Sequence, residues 1–500
     1  MWCPKGIMRR PRYVSLILAS GIMATANPTY GETRLAPILS VSERYDSNVF
    51  FLPKTPGLKL EDFVTSVSPK VLIGHRGNLM EGGLLAGATA EAYANNPDLN
   101  YVGGNGSLAL NLNRAVNRFF PRTALSVSES FLYTPQAPAF GIGGGEVQNP
   151  FTRGIQISRV NSVTNHASVM GSYRLSPTQT LHTSYTNFLM RFGSRFGTQG
   201  TTLALFNTNS QTVSAGPAVR VSPTDDLRLT YQYNRVDFPG ANLDSLRNHS
   251  GSVAWARIWS PEYRSTVSAG ATVFERFSGT GAPGGGFVGT ISGGAIFPNG
   301  SLSLIWERTR GAGSMESGFF SSILLPQAQA GMVSPNLPPI SIVGGGMAPT
   351  GGPITPTTSR ATLSYSVGVF PSIFLAAVPL LSQTVTVTTA HPLTERLSVT
   401  GGANFARNDS TSSGSNISFM SYQGDVSVNY LLTSTLKASA VGAYGHYDQQ
   451  VMSTAVDFDR KVLMLMITKV WDRELFVPAF MRPTPAPEAS ESDQRGSEKK

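Results

Sequence analysis

The chain has 500 residues, of which 14% are charged, 41% are hydrophobic and 51 are glycine. So little charge on so long a chain excludes a disordered acidic or basic polymer, and a net charge of only +9 argues against a nucleic-acid partner. A single cysteine, Cys3, excludes disulfide staples and cysteine metal sites.

Lys5, Arg9, Arg10 and Arg12 precede an apolar stretch from Tyr13 to Ala24, and Ala24-Thr25-Ala26 has the small residues that signal peptidase accepts. This order of features predicts a signal peptide over residues 1–26. Cys3 lies ahead of the apolar stretch, so it is not a lipid acceptor and leaves with the leader. The mature chain then carries +5 and no cysteine, which suits passage through an oxidising periplasm.

From residue 27 onward the dominant signal is a two-residue period. Ala167, Val169, Gly171, Tyr173 and Leu175 alternate with Ser168, Ser172 and Arg174, and Leu227, Leu229, Tyr231 and Tyr233 alternate with Arg228, Thr230, Gln232 and Asn234. Val267 to Val273 and Tyr422 to Tyr430 repeat the pattern, the latter setting Val426 and Val428 against Asp425, Ser427 and Asn429. These segments run about 10 to 13 residues, the length a tilted strand needs to cross a bilayer and longer than strands of soluble sandwiches. Nowhere do about 18 apolar residues follow one another, so no transmembrane helix is expected.

Connections alternate in length. Short turns such as Leu175-Ser176-Pro177-Thr178, Val221-Ser222-Pro223-Thr224, Trp259-Ser260-Pro261-Glu262 and His391-Pro392-Leu393-Thr394 punctuate the strands, and Arg174 to Leu181 and Arg220 to Leu227 are near copies. Between them lie long Gly- and Pro-rich stretches, Thr134 to Val163 and Gly311 to Thr358. Short periplasmic turns and long extracellular loops characterise outer-membrane barrels. The expected fold is a transmembrane antiparallel up-and-down β-barrel over residues 27–471, of about 18 strands and within 16 to 20, because bacterial barrels favour even numbers. Arg360 to Leu381 reads as one strand, two, or part of the preceding loop, and Pro217 marks an expected bulge.

Aromatic residues gather near segment ends, namely Tyr45, Tyr93, Tyr133, Phe188, Trp255, Trp259, Phe297, Trp306, Tyr430, Tyr444 and Trp471, as an interfacial girdle requires. The last strand, Arg460 to Trp471, is apolar on both faces. The Pro-, Glu- and Ser-rich residues 472–500 form a tail expected to be disordered in the periplasm.

No catalytic motif emerges. The six histidines are scattered singly, the Gly-rich runs at 143–145 and 284–286 lack the strand and helix that a phosphate cradle needs, and no Gly-x-Ser-x-Gly elbow occurs. No cofactor or metal is implied. What remains is the polar face of the strands, where Arg174, His182, Arg228, Gln232, Asn234, Asp425 and Asn429 are assigned to a lumen. The polar lumen makes a conduit, unless the stretch Gly311 to Thr358 plugs it.

The segment Ser42-Glu43-Arg44-Tyr45-Asp46-Ser47-Asn48-Val49-Phe50, followed by Asp62 and Ser66 to Val71, resembles an outer-membrane β-barrel porin family found beside exopolysaccharide and exosortase loci; His391 to Arg396 is similar to that family's periplasmic turns. The resemblance covers about Tyr45 to Trp471 and implies a barrel in the outer membrane of a Gram-negative cell. It assigns no catalytic or binding residue. The reading is therefore a porin-like channel for small polar solutes, not an enzyme, with an outer-membrane component of exopolysaccharide export or surface attachment as the alternative and an embedded Ser/His hydrolase as a remote third. Its partners would be outer-membrane lipids and lipopolysaccharide, the barrel-assembly machinery and, on the alternative, exopolysaccharide. N-terminal sequencing of the protein extracted from membranes should begin at Asn27; a start at Met1 would contradict the leader.

Overall fold

The alternating segments all become strands. The computed structural model describes residues 31–471, except 55, 135–159, 196–206, 241–244, 261–262, 276–284, 298–299, 311–358, 372–378, 411–416 and 452–453. Its strands are β1 (Gly31–Asp46), β2 (Asp62–Gly77), β3 (Glu81–Tyr93), β4 (Tyr101–Asn111), β5 (Thr123–Thr134), β6 (Val160–Arg174), β7 (Gln179–Arg195), β8 (Thr208–Arg220), β9 (Asp225–Asp237) and β10 (Leu246–Ile258). They continue as β11 (Tyr263–Glu275), β12 (Gly285–Phe297), β13 (Gly300–Arg310), β14 (Ser359–Pro371), β15 (Pro379–Pro392), β16 (Leu397–Ser410), β17 (Ile417–Thr433), β18 (Leu436–Val451) and β19 (Thr454–Val470). A short helix α1 (Asn113–Asn117) sits in the β4–β5 connection.

Each strand pairs with its neighbours in sequence, and β1 also pairs with β19, from Ile38 opposite Val470 to Asp46 opposite Val462. Among the described residues the sheet is therefore a closed ring of 19 strands, within the expected 16 to 20 but odd rather than even. A ring of antiparallel neighbours closes only on an even count, so an odd ring needs one parallel pair. That pair is β13 with β14, running from Gly300 opposite Ser359 to Arg308 opposite Val367. The uncertain stretch after Arg360 resolves into β14 and the start of β15.

By this pairing β13 ends at one rim and β14 begins at the other; the long loop expected from Gly311 to Thr358 lies outside the described residues. The idea that it plugs the bore falls on residues outside those described.

Following the register once around the ring returns to β1 displaced by about 22 residues, a stagger that implies a strand tilt of about 40°, within the usual range for barrels. Because the displacement is even, a residue that faces inward does so all the way round. Strand lengths reach 17 residues in β7, β17 and β19, longer than the sequence pattern alone delimits.

The short turns share one rim with Gly31 and Val470, and the long β5–β6 connection lies at the other. The two near-copies fold alike: the Leu175 N–H donates to the Gln179 carbonyl at 2.9 Å, as Val221 donates to Asp225 at 2.9 Å. In each, a serine hydroxyl accepts from the backbone two residues on, Thr178 N to Ser176 Oγ at 3.3 Å and Thr224 N to Ser222 Oγ at 3.1 Å. At Pro217 no extra residue is inserted. The register of β8 with β9 is the same on both sides of an interruption at Gly216 and Pro217, which corrects the expected bulge. Proline has no N–H to give there, and a side chain at Gly216 would collide with the Leu229 carbonyl.

The outer face is apolar. Leu229, Tyr231, Val426, Val428, Leu463, Leu465 and Ile467 are all exposed, whereas their chain neighbours on the inner face are polar in β9 and β17 (Arg228, Thr230, Gln232, Asp425, Ser427 and Asn429) and Val, Met or Thr in β19. In a soluble protein such a belt would be an aggregation surface; in hydrocarbon it is the required solvent contact. Trp255, Trp259 and Tyr430 lie outward at the short-turn rim and Tyr45 and Tyr444 outward at the other, where headgroups favour them. Tyr93 and Phe188 depart from the girdle, being buried on the inner face. Arginine at Val426 or Leu229 should impair assembly by about 2 to 4 kcal/mol, since a charge then faces the midplane, while lysine at the inner-face residues Thr230 or Gln423 should be tolerated. Heat-modifiable migration of the refolded variants checks this, and identical behaviour on both faces would contradict the assignment.

Candidate functional site: the lumen and its seam

The inner face is built from hydroxyls and amides. Cross-strand hydroxyl pairs recur around the wall, Ser68 with Thr89 at 2.8 Å, Ser128 with Ser168 at 2.8 Å and Ser184 with Ser214 at 2.6 Å, and Ser40 meets Thr468 at 3.0 Å across the β1–β19 seam. Small polar side chains suit this surface because they satisfy one another along the wall without filling the bore.

All seven residues assigned to the lumen fall on the inner face by register. His182 on β7 and Arg228, Gln232 and Asn234 on β9 come together on one arc, whereas Asp425 and Asn429 lie on β17, eight strands away. Arg174 stands exposed at the short-turn end of β6. Two of the seven are committed to the wall itself. The Asn234 amide donates to Ser210 at 3.0 Å and Thr212 at 2.8 Å, and Asn429 donates to Ser427 at 3.2 Å while accepting from Ser439 at 2.8 Å.

A second feature, not anticipated as a site, closes the seam at the rim opposite the short turns. The Asp46 carboxylate, fully buried at the end of β1, accepts two hydrogen bonds from Arg460 on β19, at 3.1 Å from Nε and 2.7 Å from Nη2. Arg44, two residues earlier on the same face, grips Glu91 of β3 at 3.1 and 3.4 Å, and the Tyr93 hydroxyl donates to the same carboxylate at 2.7 Å. Two arginines and two carboxylates thus bind β19, β1 and β3 together with no net charge. Bidentate geometry makes these strong pairs, and the shared partners are what a buried charge requires.

The β1–β2 connection turns into the barrel over this network. Asn48 donates its backbone N–H to Asp46 at 3.1 Å, and its side chain exchanges bonds with Leu52, donating to the carbonyl at 2.7 Å and accepting from the N–H at 3.2 Å. Val49 packs with Val64, Tyr93 and Leu99, while Phe51 packs with Tyr447 and Phe458, its ring 4.7 Å beneath the Arg460 guanidinium. Phe51 has φ of +57°, a conformation that a non-glycine residue adopts only when its surroundings impose it. The Asn48 ring of bonds and the stacked pocket supply that imposition. Ser47 completes the seam by donating to the Lys461 carbonyl at 2.9 Å and accepting from its N–H at 2.8 Å.

Sequence reading quoted Ser42 to Phe50 for a family resemblance and missed its work as a latch. Asp46 and Asn48 were visible, Phe51 was not singled out, and Arg460, the partner of Asp46, lies 414 residues away in the chain, so only closure of the ring brings it near. Among the described residues no group of three or more His, Cys, Asp or Glu could hold a metal ion.

No protein-family model matches the chain, and no curated protein does. Solved structures similar in outline include Pseudomonas aeruginosa OccK2 (OpdF), with a TM-score of 0.38 at 10% identity over 88% of this chain and 98% of that one. Another is Acinetobacter baumannii OccAB3, with a TM-score of 0.39 at 10% identity over 88% and 100%. A third is the outer membrane protein OpdK of Pseudomonas aeruginosa, with a TM-score of 0.36 at 10% identity over 88% and 99%. At these values the likeness transfers no solute and no residue role to this chain.

Asp46→Ala or Arg460→Ala strands a buried charge and should destabilise the barrel by about 3 to 5 kcal/mol. The double variant should lose less than the sum of the two. Urea-unfolding midpoints of refolded protein check the cycle, and strict additivity would show that the two groups do not act as a pair.

Proposed function

We propose that this barrel is a porin-like channel for small polar solutes in the outer membrane. The observation that carries the reading is the combination of an apolar outer belt with a polar inner face on a ring of 19 strands. Barrels of 16 to 18 strands already leave an aqueous passage that their wall side chains cannot fill. Hydroxyls and amides bonded along the wall, rather than across the bore, support an open conduit, because they lose nothing when solute passes.

The latch narrows this passage at one mouth only. It covers the inner wall from β18 to β4 and leaves the arc that carries His182, Arg228 and Gln232 uncovered by its residues. Delivery through the leader at residues 1–26, insertion by the barrel-assembly machinery and contact of the outer belt with lipopolysaccharide follow from this reading as its expected partners. The passage would act by size and charge rather than by chemical conversion.

The test is electrical. Full-length mature protein refolded into planar bilayers should give discrete, ohmic conductance steps, and liposomes carrying it should swell in small sugars. Bilayers that take up folded barrel and yet show no steps would contradict the channel.

A further inference from the structure

Four adjacent strands break the apolar outer face together. Glu129 of β5, Ala167 of β6, Asn187 of β7 and Gln211 of β8 stand opposite one another in a single line across the wall, and Asn165 and Asn209 lie beside that line. By register they share a face with Val169, Tyr185 and Val213, which are 38%, 41% and 48% exposed on the outside of the barrel. The line crosses the wall at membrane depth, because Glu129 is six residues from Thr123 and five from Thr134, and Asn187 is the central residue of β7, eight from either end. Single polar residues occur elsewhere on the outer face, such as Glu43, whose carboxylate accepts from Thr65 at 2.7 Å. Here a carboxylate and carboxamides form one patch.

Hydrocarbon gives these groups nothing to bond. The Asn165 amide donates to Glu129 at 2.9 Å and the Asn187 amide to Asn209 at 2.9 Å, which uses one of the two N–H donors that each carboxamide owns. Among the described residues the Gln211 side chain makes no hydrogen bond. A patch with this much unused bonding capacity is costly against lipid, and polar side chains at membrane depth are ordinarily turned toward protein.

A second copy of the same wall supplies what is missing. Two barrels inserted in the same sense are related by a two-fold axis along the membrane normal, and such an axis through Ala167 sets the β5 side of one copy against the β7 side of the other. Glu129 and Asn187 flank Ala167 from either side, each one strand spacing, about 5 Å, away. The carboxylate of each copy therefore meets the amide donors of the other, and the small side chain of Ala167 lets the two walls approach closely enough for it. We infer that this barrel pairs with a second copy of itself through the outer face of β5 to β8, with Ala167 at the axis and Glu129 and Asn187 in reciprocal contact. The pairing requires a barrel in a membrane but not an open bore, so it is independent of conductance.

The experiment measures mass and self-cross-linking of the full chain. Extracted in mild detergent, wild type should sediment as a dimer. Ala167→Phe adds only apolar bulk, which lipid accepts, and should give monomers that keep the heat-modifiable migration of a folded barrel. Asn187→Leu should raise the dimer dissociation constant about tenfold. In native membranes treated with copper phenanthroline as oxidant, and in a Cys3→Ser background, Ala167→Cys should form a disulfide-linked dimer, whereas Val426→Cys, eight strands away on β17, should not. A monomeric wild type, an oligomer that Ala167→Phe leaves intact, or equal cross-linking at residues 167 and 426 overturns the inference. So does a monomer that carries lipopolysaccharide and loses it on Asn187→Leu, which would give this face to lipid.

Discussion

A peptide group in hydrocarbon has no water to bond, so each N–H and C=O at membrane depth must find its partner inside the protein. For strands this means a ring without edges. Here the requirement is met by the pairing of β1 with β19, nine residue pairs in length, between segments that lie more than 400 residues apart in the chain. The remaining architecture follows from that closure: the stagger that sets the tilt, the even displacement that keeps one face greasy and the other polar, and the single parallel pair that reconciles an odd number of strands with a closed ring.

The seam is also where the buried charges sit. Closing the ring is the longest-range event in this fold, and chain entropy opposes it more than it opposes any hairpin. The Asp46 and Arg460 pair, the Ser47 bridge to Lys461 and the seating of Phe51 form only when the seam is made, so they stabilise the closed state specifically. Ordinary hydroxyl pairs serve elsewhere on the wall, where neighbouring strands arrive together. The asymmetry explains why one short motif, Tyr45 to Phe51, concentrates so much of the unusual chemistry: a left-handed phenylalanine, a buried carboxylate and an asparagine bonded on both sides.

Much of this was legible from residues alone. Leu227 to Asp237 shows its two faces directly, and the copied turns at Ser176 and Ser222 announce a hairpin repeat, because the local bonds that form them are encoded locally. Arg228 and His182 were placeable on the polar face by parity. The nearness of the two to one another was not, since it depends on the register of β7 to β8 to β9, which no single strand encodes. Likewise the parallel β13–β14 pair is a demand of the ring rather than of either strand, so neither sequence carries a mark of it. Tyr93 and Phe188 misled for a related reason: an aromatic residue on a strand suits the outer girdle and the buried inner face equally well, and only the strand's phase decides between them.

The central claim is that lipid wets one face of these strands and water the other. The chain's single cysteine is Cys3, so a Cys3→Ser background allows spin labels at single introduced cysteines from Tyr422 to Tyr430, with collisions measured against dissolved oxygen and a water-soluble nickel chelate. Residues 422, 424, 426, 428 and 430 should favour oxygen, and 423, 425, 427 and 429 should favour nickel, two oscillations of period two in opposite phase. Oscillations in the same phase, or none, would contradict the barrel as a membrane wall.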